Sequence, residues 1–255
     1  MIPKVIPPLT GLSALVTRPQ PQAGALAEAI RALGGDAIVF PAIAIESLPL
    51  AVVDAADLVI FVSVNAVEHG VPRLRRSPGT RIAAIGRATA AALTACGWPA
   101  DIIPAGDFTS EALLAHPDLN LIPGLKAQIV RGVGGREALQ QELQLREVQV
   151  EALEVYRRVL PAPDPTEVAA LEQQWSEAGI DIVTATSVES LQNLQQLLTE
   201  TGRRLLSKTA LLTISPRIAT AAAELGMQGE FVLAQADEQS ILGSLARWRT
   251  RARNH

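Results

Sequence analysis

Hydrophobic positions follow two periods along the chain. Short β-branched runs alternate with Ala/Leu-rich stretches in which apolar residues recur at i, i+3, i+4 and i+7, the pattern of an α/β protein. Ala14-Leu15-Val16-Thr17-Arg18-Pro19 predicts a strand and its exit. Ala23, Leu26, Ala27, Ile30 and Leu33 mark one face of the next helix, and Gly34-Gly35 ends it because glycine tolerates the left-handed conformation there. Asp36 to Pro41 reads as a second strand, completing a short βαβ unit. A longer unit follows. Leu58 to Ser63 is a strand ending in serine, and Arg81 to Gly86 another, with a helix running on to Gly97. Ile102-Ile103 reads as a strand, and Asp107-Phe108-Thr109-Ser110 opens a last helix.

Both units return. Gln128 to Gly132, Glu137 to Arg146 and Val150 to Tyr156 repeat the short strand-helix-strand order. Ile182 to Ser187, Leu211 to Ser215 with a helix to Gly226, Phe231 to Leu233, and Asp237 to Ser240 repeat the long one. Gly86 and Gly97 are spaced as Ser215 and Gly226 are, and Asp107/Ser110 matches Asp237/Ser240, so the chain carries an internal repeat. Two strands plus three make five, the size of a flavodoxin-like doubly wound sheet, and two such domains are predicted. Spacing alone leaves open which short unit joins which long one. Pro161-Ala162-Pro163-Asp164-Pro165 reads as a stiff linker and Pro41 to Pro49 as a weaker one.

Composition narrows the function. The 255 residues are 48% hydrophobic and 19% charged, enough to bury a large core. Aromatics are only 3%, so Ala, Leu, Ile and Val fill the interior, as in helix-covered parallel sheets. A net charge of −4 argues against an extended basic face for nucleic acid or membrane. Arg247, Arg249, Arg251 and Arg253 near the C-terminus read as a solvated helix end in preference to a nucleic-acid arm. The single cysteine, Cys96, forms no internal disulfide, and His69, His116 and His255 are scattered away from metal-ligand spacing. His69, like the other two, is assigned a surface or helix-end role. With no membrane-length apolar run and no signal-peptide pattern, the expected address is a reducing cytoplasm.

Ligands of open α/β sheets bind beyond the carboxyl ends of the strands, where helix N-termini present free N–H groups. Here those positions hold Arg18, Ser63, Gly86, Ser110, Arg131, Ser187, Ser215, Arg217 and Ser240, an inventory rich in hydroxyls and guanidinium groups and nearly free of carboxylates. It suits a small molecule with several carboxylates or phosphates, although serines also cap helices whatever the function. The sharpest local signal is Arg131-Gly132-Val133-Gly134-Gly135-Arg136-Glu137, whose glycines let backbone approach an anion flanked by two arginines. It lacks the third glycine of a dinucleotide fingerprint and the Gly-Lys-Ser/Thr of a Walker loop, and a tight strand-to-helix turn is its plain alternative. No Gly-x-Ser-x-Gly elbow and no paired carboxylates appear. Tyr156, the only tyrosine, ends the second βαβ unit before the proline segment. A phenol, titrating near roughly 10, is protonated at neutral pH and can donate a proton, or can simply pack and hydrogen-bond.

Taken in order, these motifs resemble the uroporphyrinogen-III synthase family over nearly the whole chain. They are Val16-Thr17-Arg18-Pro19, Phe61 to Val67, Ala84 to Ala90, Thr109 to Leu114, the Gly134-Gly135-Arg136-Glu137 turn, Glu154-Val155-Tyr156-Arg157-Arg158, Thr186-Ser187 and Ser215-Pro216-Arg217. Val62 and Val64 stand where similar bacterial sequences often carry Thr and Pro. The resemblance implies two flavodoxin-like parallel-sheet domains joined by a two-pass linker, with the active site in the interdomain cleft. Residues 1–42 with 162–255 would form one domain and 50–156 the other, with 43–49 and 157–161 as linkers. It further implies cyclisation of hydroxymethylbilane to uroporphyrinogen III, with loss of water and inversion of ring D. Tyr156 matches the family tyrosine proposed to protonate the departing hydroxyl. Arg18, Ser63, Gly86, Ser110, Arg131, Gly134, Gly135, Arg136, Ser187, Ser215 and Arg217 are the expected substrate contacts. The partners implied are hydroxymethylbilane, handed over by hydroxymethylbilane synthase, and no nucleic acid, membrane, metal or cofactor; the chain is expected to act as a monomer. The competing reading is a non-catalytic two-domain cytoplasmic sensor that closes on a small polyanion.

Overall fold

A computed structural model describes residues 7–104, 109–135 and 137–252; Asp107, Phe108, Arg136, Arg253 and His255, singled out above, lie outside them. Strand β1 (Ser13–Val16) leads through helix α1 (Gln22–Ala32) to β2 (Asp36–Val39), followed by β3 (Ala44–Ser47) and the short β4 (Val53–Asp54). Next come β5 (Leu58–Phe61), α2 (Val64–Gly70), β6 (Leu74–Arg75), β7 (Arg81–Ala84), α3 (Arg87–Ala95) and α4 (Ser110–Leu114). A second short unit comprises β8 (Lys126–Gly132), α5 (Ala138–Leu145) and β9 (Gln149–Val159). The remainder is α6 (Pro165–Ala178), β10 (Ile182–Ala185), α7 (Val188–Leu197), α8 (Glu200–Lys208), β11 (Ala210–Thr213), α9 (Pro216–Glu224), β12 (Phe231–Leu233) and α10 (Glu238–Ala252).

The chain divides into two units, one holding the residues up to Ala44 and from Val159 onward, the other Ile45–Arg158. In the first, five parallel strands stand in the order β2-β1-β10-β11-β12. Numbered within the unit, that is the 2-1-3-4-5 order of flavodoxin-like sheets. In the second, β9, β8, β5 and β7 follow one another in parallel, and Ile102 continues beyond β7 by a single parallel bridge to Ala83. Matching β8 to β1 and β5 to β10 gives the same spatial order with the two halves exchanged along the chain. The second unit is thus a circular permutation of the first.

Strand side chains alternate between two covered faces. In β5, Leu58 and Ile60 enter one cluster with Ile129 and Leu143, while Val59 and Phe61 enter another with Val67 and Leu93. In β1, Ala14 and Val16 pack with α1 residues Leu26 and Ile30, whereas Leu15 packs with Trp175 and Leu191. Burial on both faces explains why these strands read as continuous apolar runs. Helices α3 and α9 reproduce the repeat seen in the sequence: Gly97 and Gly226 follow their last turns at φ +76° and +83°.

Both segments expected to link the domains contain strand. Residues 44–47 form β3 beside β9, and Leu48 N–H donates to the Val155 carbonyl at 3.0 Å. β9 runs on through Arg157 and Arg158 to Val159. Other expectations need correction. Asp164 and Pro165, read as the end of a stiff linker, instead start α6: Asp164 accepts from Thr166 N–H, and Glu167 reaches back in a capping box. Ile103 adds no strand, only Ile102 bridging. At the C-terminus, Arg249 donates to the Gly11 carbonyl and Arg251 pairs with Glu230, so two of the four arginines tie α10 to its own unit, while Arg247 donates to Ser244 within the helix.

Candidate functional site

The second unit gathers most of the predicted site at the carboxyl ends of its central strands. β5 stops at Phe61, and Ser63 caps α2 by accepting from Ala66 N–H at 3.0 Å. β8 stops at Gly132 and turns through Val133-Gly134-Gly135, with Gly134 at φ +71° and Gly135 N–H returning to the Gly132 carbonyl. Thr109 caps α4, its hydroxyl oxygen accepting from Ala112 N–H at 3.2 Å. Ser63, Ser110, Arg131, Gly134, Gly135 and Tyr156, with Thr109 and Arg158, line one cavity of about 550 Å³. Gly86 is buried at the start of α3 and is not among its lining residues, although Ile85 is.

A β-bulge places Tyr156. Arg131 pairs with Glu154, but Gly132 pairs with Tyr156, leaving Val155 as an extra residue. Neighbours on a regular strand point to opposite faces; past the bulge, Val155 and Tyr156 both enter the cluster that packs under α2 and α3. The ring then lies so close over Gly132 that a Cβ there would stand 2.6 Å from Cε2 and Cζ and 3.0 Å from Oη. Only the absence of a side chain admits it. Tyr156 is 5% exposed, and its Oη is 3.2 Å from Ser63 Oγ.

Arg131 is held loosely beside this phenol. Its two terminal nitrogens meet the Gly135 carbonyl and Glu154 Oε1 only at 3.4 Å, and its buried Nε has no partner. A guanidinium carries five N–H donors, so most of its capacity is unspent. In the first unit, Arg18 occupies the equivalent place after β1. Its buried Nε is likewise unpartnered, and a terminal nitrogen reaches the Ala236 carbonyl at 3.4 Å. Burial pushes this guanidinium below its ordinary value, opposed by Glu238. Thr17 anchors the strand end before it, donating to the Thr184 carbonyl at 2.6 Å.

The serines separate into two kinds that the sequence could not distinguish. Ser63 and Ser187 spend an oxygen lone pair on their own helices, Ser187 accepting from Ser190 N–H at 3.0 Å. Ser215 makes no side-chain cap to α9, and Gly86 has none to offer α3. Arg217 stands exposed in the first turn of α9. Ser240 accepts from Gln235 N–H and turns back into its own loop. Sequence reasoning missed Gly132 as the seat of the tyrosine ring, Glu154 as the partner of Arg131, and the contact of His69 with Tyr156. Nothing in the spacing of Gly132 and Tyr156 signals their pairing, which depends on the bulge. Among the described residues, no three His, Cys, Asp or Glu side chains gather to hold a metal ion, and no helix is long and apolar enough to cross a membrane.

The molecule is therefore a doubly wound α/β protein that uses one parallel-sheet design twice, with a phenol, a guanidinium and a glycine turn around a cavity of small-molecule size. A family model described as uroporphyrinogen-III synthase HemD matches residues 24–243. The uroporphyrinogen-III synthase of Salmonella typhimurium is 38% identical over 250 residues, covering 92% of this chain and 100% of that one. The Escherichia coli K12 protein of the same name is 35% identical over 248 residues, again with 92% and 100% coverage. The chain belongs to the uroporphyrinogen-III synthase family. The crystal structure of the Helicobacter pylori 26695 uroporphyrinogen-III synthetase aligns over 94% of this chain and 99% of its own at a TM-score of 0.58; with 14% identity, that likeness concerns the fold.

Proposed function

We propose that this chain cyclises linear hydroxymethylbilane to uroporphyrinogen III, releasing water and inverting ring D, with Tyr156 as the acid. The observation that carries the acid assignment is the placement of Tyr156 Oη in the cavity wall, 3.2 Å from Ser63 Oγ. Ser63 already accepts from Ala66 N–H, so its own hydroxyl hydrogen is available to donate to Tyr156 Oη. That arrangement leaves the phenol proton for the substrate. As the pyrrole nitrogen pushes out the hydroxymethyl oxygen, the phenol protonates it, the C–O bond breaks and water departs. The substituted α-carbon of ring D then attacks the ring A methylene to give a spiro centre, and its original bond to the ring C methylene breaks. That methylene rejoins ring D at the free α-carbon, whose proton is lost and restores the phenol.

Unassisted closure gives the uninverted isomer, so the protein's main task is to hold the chain for attack at that carbon. Eight substrate carboxylates need many donors. Arg131 with its unspent N–H groups, Arg136, Ser110 and the turn at Gly134-Gly135 are proposed to meet some of them. Ser63, Gly86, Arg18, Ser187, Ser215 and Arg217 complete the proposed substrate contacts, Gly86 and Ser215 through the uncapped helix starts of α3 and α9. Supply of the substrate by hydroxymethylbilane synthase and action as a monomer belong to the same proposal. The sensor reading finds no support, since the curated relatives are named as synthases.

The test is a coupled assay from porphobilinogen through hydroxymethylbilane synthase, with oxidised products separated by isomer. Type III product is expected, and type I alone refutes the proposal. Tyr156→Phe should lower kcat by about 10²–10⁴-fold, the usual contribution of general acid catalysis, with an unchanged far-UV spectrum. A parental rate in that variant removes the acid assignment.

A further inference from the structure

Helix α2 touches Tyr156 twice. Its cap, Ser63, meets the hydroxyl, and His69 in its last turn lays an imidazole against the phenol ring, with centroids 5.8 Å apart and planes inclined by 33°. The imidazole is itself anchored: His69 Nδ1 lies 2.6 Å from Ser47 Oγ on β3. The depth of the helix is fixed next door, because a Cβ at Gly70 would collide with the Val130 side chain of β8. Gly132 supplies the floor beneath Cε2, Cζ and Oη. The phenol is thus held by contacts from β8 and from both ends of α2, with β3 bracing one of them.

We infer that His69, braced by Ser47, is a positioning residue that holds the Tyr156 ring at the angle from which its hydroxyl donates into the cavity. The inference rests on the reading of Tyr156 as the acid. A phenol turns about its χ2 bond between broad, roughly two-fold wells, so a ring seated only on a glycine floor keeps considerable freedom. Turning about χ2 leaves Oη on the rotation axis but swings the hydroxyl hydrogen, which prefers the ring plane. Tilted aromatic contacts restrict that motion, and general acid catalysis requires the proton to face the departing oxygen. His69 acts here as a ring. A phenylalanine at the same place keeps the aromatic contact and loses only the Ser47 hydrogen bond.

Tyr156 is the only tyrosine in the chain, so tyrosine labelled with ¹³C at Cζ gives one NMR resonance that reports this side chain alone. His69→Ala is expected to shift or broaden that resonance and to lower kcat about three- to tenfold, with KM unchanged. His69→Phe should restore both the resonance and kcat. Ser47→Ala, which keeps the ring but removes its brace, should move the resonance in the same direction by less, and it supplies the test if His69→Ala fails to fold. An unmoved resonance in both variants overturns the inference, as does a His69→Ala loss confined to KM or one that His69→Phe does not rescue. The two readings fail separately. Parental activity in Tyr156→Phe sinks the acid, whereas an unmoved ¹³C signal in His69→Ala and Ser47→Ala sinks the brace and leaves the acid standing.

Discussion

Replacing Gly132 by alanine tests how the site is built. Gly132 does not carry a positive φ, so alanine meets no backbone penalty there, and any cost arises from the ring above it. Carbon–carbon contacts settle at about 3.5–4.0 Å, and the new methyl would lie 2.6 Å from Cε2 and Cζ, an overlap of roughly 1 Å. Overpacking of this kind costs about 1–3 kcal/mol, a sizeable part of the 5–15 kcal/mol or so that holds a domain together. The ring is the mobile partner and must shift by about as much as it overlaps. A 1 Å misplacement of a reacting group costs on the order of 10²-fold in rate. Gly132→Ala should therefore lose about a hundredfold in kcat, with a much smaller change in KM. Urea unfolding and the coupled isomer assay read the two effects. A Tyr156→Ala background isolates the cause, because without the ring the methyl has nothing to strike and its stability cost should vanish. If Gly132→Ala keeps kcat within about threefold of the parent, or costs as much in the Tyr156→Ala background, the argument is wrong.

Other substitutions probe separate parts of the structure. Arg131→Ala should raise KM about ten- to a hundredfold through lost charge-assisted hydrogen bonds, and a change confined to kcat would contradict its role in affinity. If Arg131 binds substrate as proposed, Glu154, 38% exposed and 3.4 Å from it, would compete with substrate carboxylates for that guanidinium. Glu154→Gln should lower KM by up to about fivefold at low salt, an effect that added salt erases; a raised KM would count against the competition. Glu172, 7% exposed, accepts from Thr199 N–H and Oγ–H at 2.8 and 2.6 Å. Glu172→Ala should cost about 1–3 kcal/mol in urea unfolding while leaving the Tyr156 resonance where it was. Hydrogen bonds donated to the Asp164 carboxyl by the Thr166 hydroxyl and then by its backbone N–H hold that carboxyl below its ordinary 3.8. The unfolded chain therefore takes up this proton first as pH falls. Stability from Asp164 is complete above its unfolded value and is lost as pH drops through the lower folded one. The stability difference between parent and Asp164→Asn should shrink across that acid window, and a constant difference would dissociate the cap from its charge.

The sequence is most legible where one element carries its own signal. Ala23, Leu26, Ala27 and Ile30 are all fully buried on α1, as their spacing predicts, and equal spacing revealed the paired helices α3 and α9. Legibility fails where a residue's state depends on a partner far along the chain. β3 is polar, partly exposed and flanked by prolines; it is a strand because β9 lies beside it. The capping box of α6 was present in Asp164-Pro165-Thr166-Glu167 but hidden under a proline-rich segment that reads as linker. Ser63 and Ser187 show the limit for the site itself, since a serine that caps a helix and one that awaits a ligand look the same in sequence. Tyr156 could be singled out as the only tyrosine, yet the bulge that turns it, the glycine beneath it and the histidine beside it lie on three elements.

The permuted strand order also bears on how the chain is made. Every strand of the second sheet, its β3 edge included, lies within one continuous stretch from Ala44 to Val159, so that sheet can close soon after β9 is synthesised. The first sheet cannot. β1 pairs on one side with β2 and on the other with β10, and roughly 140 residues separate the end of β2 from the start of β10. At about 5–20 residues per second, the β1–β2 pair waits on the order of ten to thirty seconds with its inner edge unpaired. During that interval Ala14, Leu15 and Val16, fully buried in the finished protein, have only α1 and β2 to cover them. Pulse-labelled nascent chains arrested shortly after β9 should thus carry a protease-resistant core beside a protease-sensitive N-terminal segment.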